Sequence, residues 1–163
     1  HKGWQYLVEA ASKLDDELRS KIKIILVGNS PKNEIVEQYI NQLDMQDNVI
    51  FTGFMDDVRD VISIADIGFV LSKHEALSIA CREMMAMRKP VLISNTGGLI
   101  ENIDNNQDGW IIQKGSINQI LKFLQKLNKL DLDYFSQSAN KKAIQGFGLK
   151  SFIGKTTKVY LCI

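Results

Sequence analysis

Short apolar runs alternate with segments of helical spacing along most of the chain. Five runs, near residues 22–28, 49–52, 67–71, 90–94 and 109–112, are short and apolar enough for strands that are buried in a sheet. Between them, and over residues 116–129, 134–145 and 150–161, apolar side chains recur with the spacing of a helix that buries one face. This alternation predicts an α/β fold with a doubly wound parallel sheet and helices on both of its faces.

Polar residues stand where helices should begin. Ser30 before Pro31 has the character of an N-cap, and Ser116 takes the same place before residues 116–129. Asp56 or Asp57 is suited to cap a helix over residues 58–65. The helix predicted over residues 4–19 has no such signal and begins close to the first residue.

Four turns follow the predicted strands directly, at residues 28–31, 53–57, 72–78 and 95–98. All four fall at the carboxyl edge of a parallel sheet, which is where such sheets bind ligands. The richest of them, residues 72–78, leads into a helix made of Leu, Ala, Met and Arg, all good helix formers. This helix must end before Pro90.

Two acidic residues mark this helix. Glu75 stands at or just before its start, and Glu83 lies about two turns further along. The first turn of a helix offers unpaired amides and a partial positive charge, which suit a phosphate. Carboxylates nearby can accept hydrogen bonds from the hydroxyls of sugars, so the combination points to a nucleotide-sugar. The alternative is that both glutamates are ordinary solvated charges, one of them favoured by the helix dipole.

Composition narrows the choice further. The formal charge of +1, from 20 basic and 19 acidic residues, provides no electrostatic footprint for nucleic acid. The two cysteines, Cys81 and Cys162, lack metal-ligand spacing and fit a reducing, cytoplasmic compartment. No apolar run approaches the ~20 residues of a membrane-spanning helix. The triplet at residues 131–133, Asp-Leu-Asp, could hold a metal, but an aspartate that caps a helix explains it better.

A family resemblance rests on the same stretch. Ser72, Glu75, Glu83, Ala86 and Pro90 with Val91, followed by Gly97-Gly98 and Glu101, resemble the signature of retaining glycosyltransferase family 4. The similarity is to the C-terminal, nucleotide-sugar-binding domain of that family, which has the GT-B fold with a Rossmann-like sheet. Three glycines of the signature are absent, and the positions carry Ala76, Ser78 and Arg88.

The resemblance implies a role for each matching residue. Glu83 would hold the ribose hydroxyls, and Glu75 would act at the catalytic centre on a hydroxyl of the donor sugar. The backbone of Leu77, Ser78 and Ile79 would meet the phosphates and the sugar, with charge added by Lys2. The loop of Gly53, Phe54 and Met55 would lie against the nucleobase.

The resemblance also implies the partners. Residues 1–163 would form one donor-binding domain that takes a UDP- or GDP-sugar, without a cofactor or a metal. A glycan or lipid acceptor, as in polysaccharide biosynthesis, and any peripheral contact with the inner face of a membrane would belong to an N-terminal domain outside this chain. We therefore expect the chain alone to bind weakly and not to turn over.

Three other functions remain open at this stage. The lost glycines are compatible with a non-catalytic module that binds nucleotide-sugars. A doubly wound domain used only for protein contacts would have no nucleotide affinity at all. A nucleotide-sugar 2-epimerase of the same fold fits the spacing of Glu75 and Glu83 less well.

Overall fold

The computed structural model describes residues 2–29 and 33–161. The N-cap predicted at Ser30, its neighbour Pro31, and Cys162 lie outside the described residues. Strands β1 to β5 span Ile24–Val27, Val49–Gly53, Gly68–Val70, Val91–Ser94 and Gly109–Ile112. Helices α1 to α8 span Trp4–Ser12, Asp16–Ser20, Asn33–Gln42, Arg59–Ile64, Ile79–Ala86, Ile117–Leu124, Leu132–Lys142 and Leu149–Leu161. Shorter helical turns occupy Gly97–Asn102, Leu127–Lys129 and Ala143–Phe147.

All strand pairs in the described residues are parallel, so the predicted α/β fold class is confirmed. The strands form two groups, β1 with β2 and β3 with β4 and β5. The sequence predicted one continuous sheet, but within residues 2–29 and 33–161 no ladder joins β1 to β3. β4 lies between two strands and is buried at all four positions, and β5 is at the edge, as predicted.

Two clusters of buried side chains make the core. One joins α1, β1 and α6. In it, the ring centroid of Trp110 from β5 lies 4.8 Å from that of Phe123 and 4.4 Å from that of Phe135. The other lies between β3, β4 and α5, where Cys81 and Met85 are fully buried. Burial raises the pKa of the Cys81 thiol to about 12, so this cysteine is a small core residue rather than a reactive one.

The helix predicted over residues 4–19 is in fact two helices, α1 and α2. Asp15 takes an extended conformation between them, and its Oδ1 accepts a hydrogen bond of 2.8 Å from the amide of Leu18. An aspartate in the middle of an apolar helical pattern thus starts a new helix instead of continuing the first. In the described part of the chain, no helix is long and apolar enough to cross a membrane.

Candidate functional site

The loop of residues 72–78 follows β3 and ends at α5, as the sequence predicted. One hydroxyl at the end of β4 and one in the turn after it hold the first carbonyls of this loop. Ser94 Oγ donates to the carbonyl of Ser72 at 2.7 Å, and Thr96 Oγ1 donates to that of Lys73 at 3.0 Å. The path of the loop is therefore fixed from the β4 side before the site residues are reached.

The Gly97-Gly98 pair brings the next turn against the middle of the same loop. Gly97 has a φ of +50°, and a Cβ on it would lie 2.2 Å from the carbonyl oxygen of Glu75. A Cβ on Gly98 would lie 2.1 Å from the carbonyl oxygen of Ala76. The pair thus supplies both a positive φ, as predicted, and a close backbone approach that no other residue type allows.

The start of α5 presents unpaired amides. Ser78 has a φ of +60°, and its hydroxyl accepts a hydrogen bond of 3.3 Å from the amide of Cys81. Within the described residues, the amides of Leu77, Ser78, Ile79 and Ala80 donate no hydrogen bond. Four donors next to a helix N-terminus make a suitable environment for an anion.

Glu75 is held from two sides. Lys2 Nζ lies 3.1 Å and Ser72 Oγ 3.2 Å from the same carboxylate oxygen, and the Glu75 side chain is 17% exposed. Lys2 is placed by Gly3, which has a φ of +74° and lies so close to Leu71 that a Cβ would overlap its carbonyl oxygen. Lys2, predicted to contact phosphate, pairs in this structure with Glu75.

One cavity of about 590 Å³ connects these groups. Lys2, Glu75, Ser78 and Glu83 all border it, so the two glutamates face the same space. The volume falls within the range of about 300–1,000 Å³ that is usual for small-molecule sites. Apolar residues of β1 and β3, among them Leu26 and Phe69, line another part of this cavity, which we call the apolar trough.

The other predicted site residues lie beside this cavity rather than on its wall. Gly28 borders the cavity, and its amide donates a hydrogen bond of 2.8 Å to the carbonyl of Gly53. This bond places the 53–55 loop at the cavity rim. Phe54 is 68% exposed, and Met55 is half-buried. The side chains of Leu77 and Ile79 are exposed, which is compatible with the backbone role predicted for them.

Sequence reasoning missed the support beneath the loop. Asn102 is fully buried; its Nδ2 donates to the Leu77 carbonyl at 2.6 Å, and its Oδ1 accepts from Arg82 Nε at 2.8 Å. The available signal was a polar residue at the end of an apolar turn, which is weak by itself. It could not indicate which carbonyl the side chain would reach.

Two of the polar residues considered as caps, Asp131 and Ser116, cap their helices. Asp131 Oδ1 accepts a hydrogen bond of 3.1 Å from the amide of Tyr134, and Ser116 Oγ accepts one of 3.3 Å from that of Gln119. The cap predicted at Asp56 or Asp57 differs, because the N-cap position of α4 is Val58, which has no side-chain cap. Asp57, one residue earlier, accepts hydrogen bonds from the amide and the guanidinium of Arg59, and this pairing lowers the pKa of the Asp57 carboxyl to about 2. Residues 2–29 and 33–161 contain no cluster of three or more side chains suited to a metal.

This arrangement is that of an α/β domain in which a helix start with free amides in the described residues lies beside two carboxylates. The chain belongs to the family described as glycosyl transferases group 1, which matches residues 1–144.

Curated relatives agree with this assignment. An uncharacterized glycosyltransferase of Methanocaldococcus jannaschii is 31% identical over 116 residues, which are 69% of this chain and 29% of that protein. The N-acetyl-alpha-D-glucosaminyl L-malate synthase of Bacillus anthracis is 29% identical over 111 residues, 68% of this chain and 29% of that protein. The chain thus spans less than a third of the length of these relatives.

Solved structures share the fold, which is that of the C-terminal domains of GT-B glycosyltransferases. A glycosyltransferase from Rickettsia africae has a TM-score of 0.81 at 27% identity, over 98% of this chain and 44% of that one. Anabaena HepE, solved in complex with UDP-glucose, has a TM-score of 0.84 at 19% identity, over 99% of this chain and 46% of that one. At this lower identity the second likeness describes the fold alone.

Proposed function

We propose that this chain is the donor-binding domain of a retaining glycosyltransferase that takes a nucleotide-diphosphate sugar. The observation that carries the proposal is one cavity bordered by Glu75, Glu83 and Lys2, next to four amides that have no partner among residues 2–29 and 33–161. A diphosphate lies on the amides, while the two carboxylates accept hydroxyls on either side of it. HepE, of the same fold, was solved in complex with UDP and with UDP-glucose, and this favours the same class of ligand.

The roles follow from charge. Glu83 accepts the ribose hydroxyls, and Glu75, oriented by Ser72, accepts a hydroxyl of the donor sugar. Lys2 lies 3.1 Å from Glu75 and borders the cavity, so its ammonium can balance both this carboxylate and an incoming phosphate. The loop of Gly53, Phe54 and Met55 at the rim takes the nucleobase.

Transfer places positive charge on the sugar ring and negative charge on the departing diphosphate. The amides of Leu77, Ser78, Ile79 and Ala80, with Lys2, stabilise the second charge because they are already oriented before the reaction. No group of this chain is assigned to the acceptor. We propose that a glycan or lipid acceptor, and any membrane contact of a cytoplasmic enzyme, belong to another domain of the whole protein.

A thermal-shift panel on the whole protein tests the ligand class. UDP, GDP, ADP and their sugars are each added, and a ligand that binds only the folded state raises the melting temperature. At a hundred times its dissociation constant, such a ligand contributes about 2.7 kcal/mol. If no member of the panel shifts the melting temperature, a domain used for protein contacts is favoured instead. A shift without sugar transfer favours the non-catalytic module.

The Glu83→Ala substitution tests the ribose contact in the same protein. Hydrogen bonds to a charged group contribute about 1.5–3 kcal/mol, so we expect nucleotide affinity to fall about 10- to 100-fold in calorimetry. Glu37→Ala is the matched control, because Glu37 is an exposed glutamate of α3 that does not border the cavity. Equal affinities for the Glu83 variant and the control would contradict the assignment.

A further inference from the structure

Asn102 lies beneath the loop of residues 72–78, and both its NH₂ group and its carbonyl oxygen are hydrogen-bonded. Its side chain is fully buried, and Nδ2 donates to the carbonyl of Leu77 at 2.6 Å and to that of Leu99 at 3.1 Å. Its Oδ1 accepts the 2.8 Å bond from Arg82 Nε. A buried amide that is satisfied in this way is costly to disturb and holds its partners in one arrangement.

The bond to Leu77 sets the direction of an amide in the site. Leu77 and Ser78 share one peptide unit, which is planar and trans, so its carbonyl and its N–H point in opposite directions. Because Asn102 holds the carbonyl on its own side, the N–H of Ser78 points away from Asn102. Ser78 borders the cavity and its amide has no partner in the described part of the chain, so this N–H remains available to a ligand.

Arg82 fixes which end of the Asn102 amide faces Leu77. A guanidinium only donates hydrogen bonds, so it must face the Asn102 oxygen and leave the NH₂ group for the carbonyl of Leu77. The Arg82 guanidinium is itself positioned over the ring of Phe147, 4.1 Å from its centroid. The direction of the Ser78 amide is thus determined by a chain of three side chains that do not reach the cavity themselves.

We infer that Asn102 is a positioning residue that directs the Ser78 amide toward the diphosphate, with Arg82 setting the orientation of its side-chain amide. The inference rests on the proposed function, since it needs a diphosphate at the start of α5. It assigns to Asn102 an effect on the phosphate part of the ligand and none on the nucleoside part.

The Asn102→Asp substitution in the whole protein separates these two parts. Aspartate has the same shape and still accepts from Arg82, but it cannot donate to the Leu77 carbonyl. The ligand is whichever of UDP, GDP and ADP binds the unmodified protein most tightly, and the matching nucleoside is measured beside it by calorimetry. We expect diphosphate affinity to fall about tenfold and nucleoside affinity to stay unchanged.

Asn48→Asp is the matched control. Asn48 is also buried, at 7% exposure, and its Nδ2 donates to the carbonyls of Arg19 at 2.8 Å and Ile22 at 2.9 Å, away from the site. The same chemical change there should lower the melting temperature while it leaves diphosphate affinity as it was. A merely structural role for Asn102 would make the two variants behave alike.

Each remaining outcome decides a different question. If the unmodified protein binds none of the three diphosphates, the proposed function fails and this inference fails with it. If it binds one, and Asn102→Asp binds it equally well or loses nucleoside and diphosphate affinity together, only the inference is overturned. Should Asn102→Asp not fold, Arg82→Met decides, since it removes the donor to Asn102 Oδ1. We expect the affinity for the diphosphate to fall about fivefold and the affinity for the nucleoside to stay the same. Unchanged diphosphate affinity overturns the inference.

Discussion

At the scale of single residues, a residue with a positive φ stands at each end of α5. Ser78 and Arg88 have φ values of +60° and +63°, although neither is glycine. Both stand where the family 4 signature has glycine. At Ser78, the cost is offset in part by the hydrogen bond from Cys81, whereas the exposed Arg88 side chain makes no hydrogen bond or ion pair within residues 2–29 and 33–161 that would offset it.

Arg88 occupies the left-handed position that ends a helix in a Schellman motif. Its amide donates to the carbonyl of Met85 at 3.0 Å, and the amide of Lys89 donates to that of Met84 at 2.9 Å. Pro90 follows and prevents any continuation of the helix. Glycine is the residue that adopts this conformation without steric cost, so Arg88 carries a strain that a glycine would remove.

The Arg88→Gly substitution should therefore stabilise the protein. We expect the free energy of unfolding to rise by about 1 kcal/mol, measured by urea denaturation, because the left-handed conformation costs a non-glycine residue about 1–2 kcal/mol. Arg88→Ala removes the same side chain but keeps the Cβ, and should give no such gain. A comparable rise in both variants would assign the effect to the lost charge instead.

At the scale of elements, the 97–102 turn and the 72–78 loop depend on each other. The turn approaches the loop so closely that only glycines fit at the contact, and Asn102 then reaches the Leu77 carbonyl from the far end of the same turn. A change at the glycine contact should therefore move the amides at the start of α5. The coupling between the two segments is testable without any change in the site itself.

We expect Gly98→Ala to lower both stability and nucleotide affinity. Its Cβ would lie 2.1 Å from a backbone oxygen of Ala76, and relief of such overlaps costs about 1–3 kcal/mol. Gly154→Ala in α8 is the control with the opposite sign, since its Cβ meets nothing within 4 Å and alanine is favoured inside a helix by about 1 kcal/mol. Chemical denaturation and calorimetry measure the two effects, and unchanged nucleotide affinity in a folded Gly98→Ala protein would contradict the coupling.

The elements themselves could largely be predicted from the sequence. The strands are short apolar runs, and the helix starts at Ser116 and Asp131 have side chains that cap them. The break at Asp15 was missed because the apolar spacing runs through it. The two separate strand groups were missed because periodicity shows that a strand exists but not which strand it pairs with.

The site could be predicted only in part, for a related reason. Glu75, Glu83 and the start of α5 are local in sequence, so the motif could place them together. Asn102 lies 25 residues from its partner Leu77, and the contact forms only when the 97–102 turn packs on the loop. A side chain that acts through tertiary packing leaves no spacing pattern in the chain.

At the scale of the whole molecule, the carboxyl ends of both strand groups meet at one cavity. The turn after β1 contributes Gly28 and Asn29 to its border, and the loop after β3 contributes Glu75. Residues of β1 and β3 line the apolar trough, and in the described residues no ladder joins these two strands. The polar part of the cavity is therefore suited to a ligand, whereas the apolar part separates two strand groups that no ladder holds together.

This asymmetry leads to an expectation for residues 1–163 produced alone. The site draws residues from both strand groups, which no ladder joins in the described residues. We therefore expect nucleotide-diphosphate affinity about tenfold or more below that of the whole protein. Sugar transfer should be absent, because no group of this chain is assigned to an acceptor. Calorimetry and a transfer assay on both proteins measure this, with circular dichroism to establish that the isolated chain is folded. If the isolated chain is folded and binds as tightly as the whole protein, the two strand groups hold their relative position without further support. Sugar transfer by the isolated chain would place the acceptor site within residues 1–163.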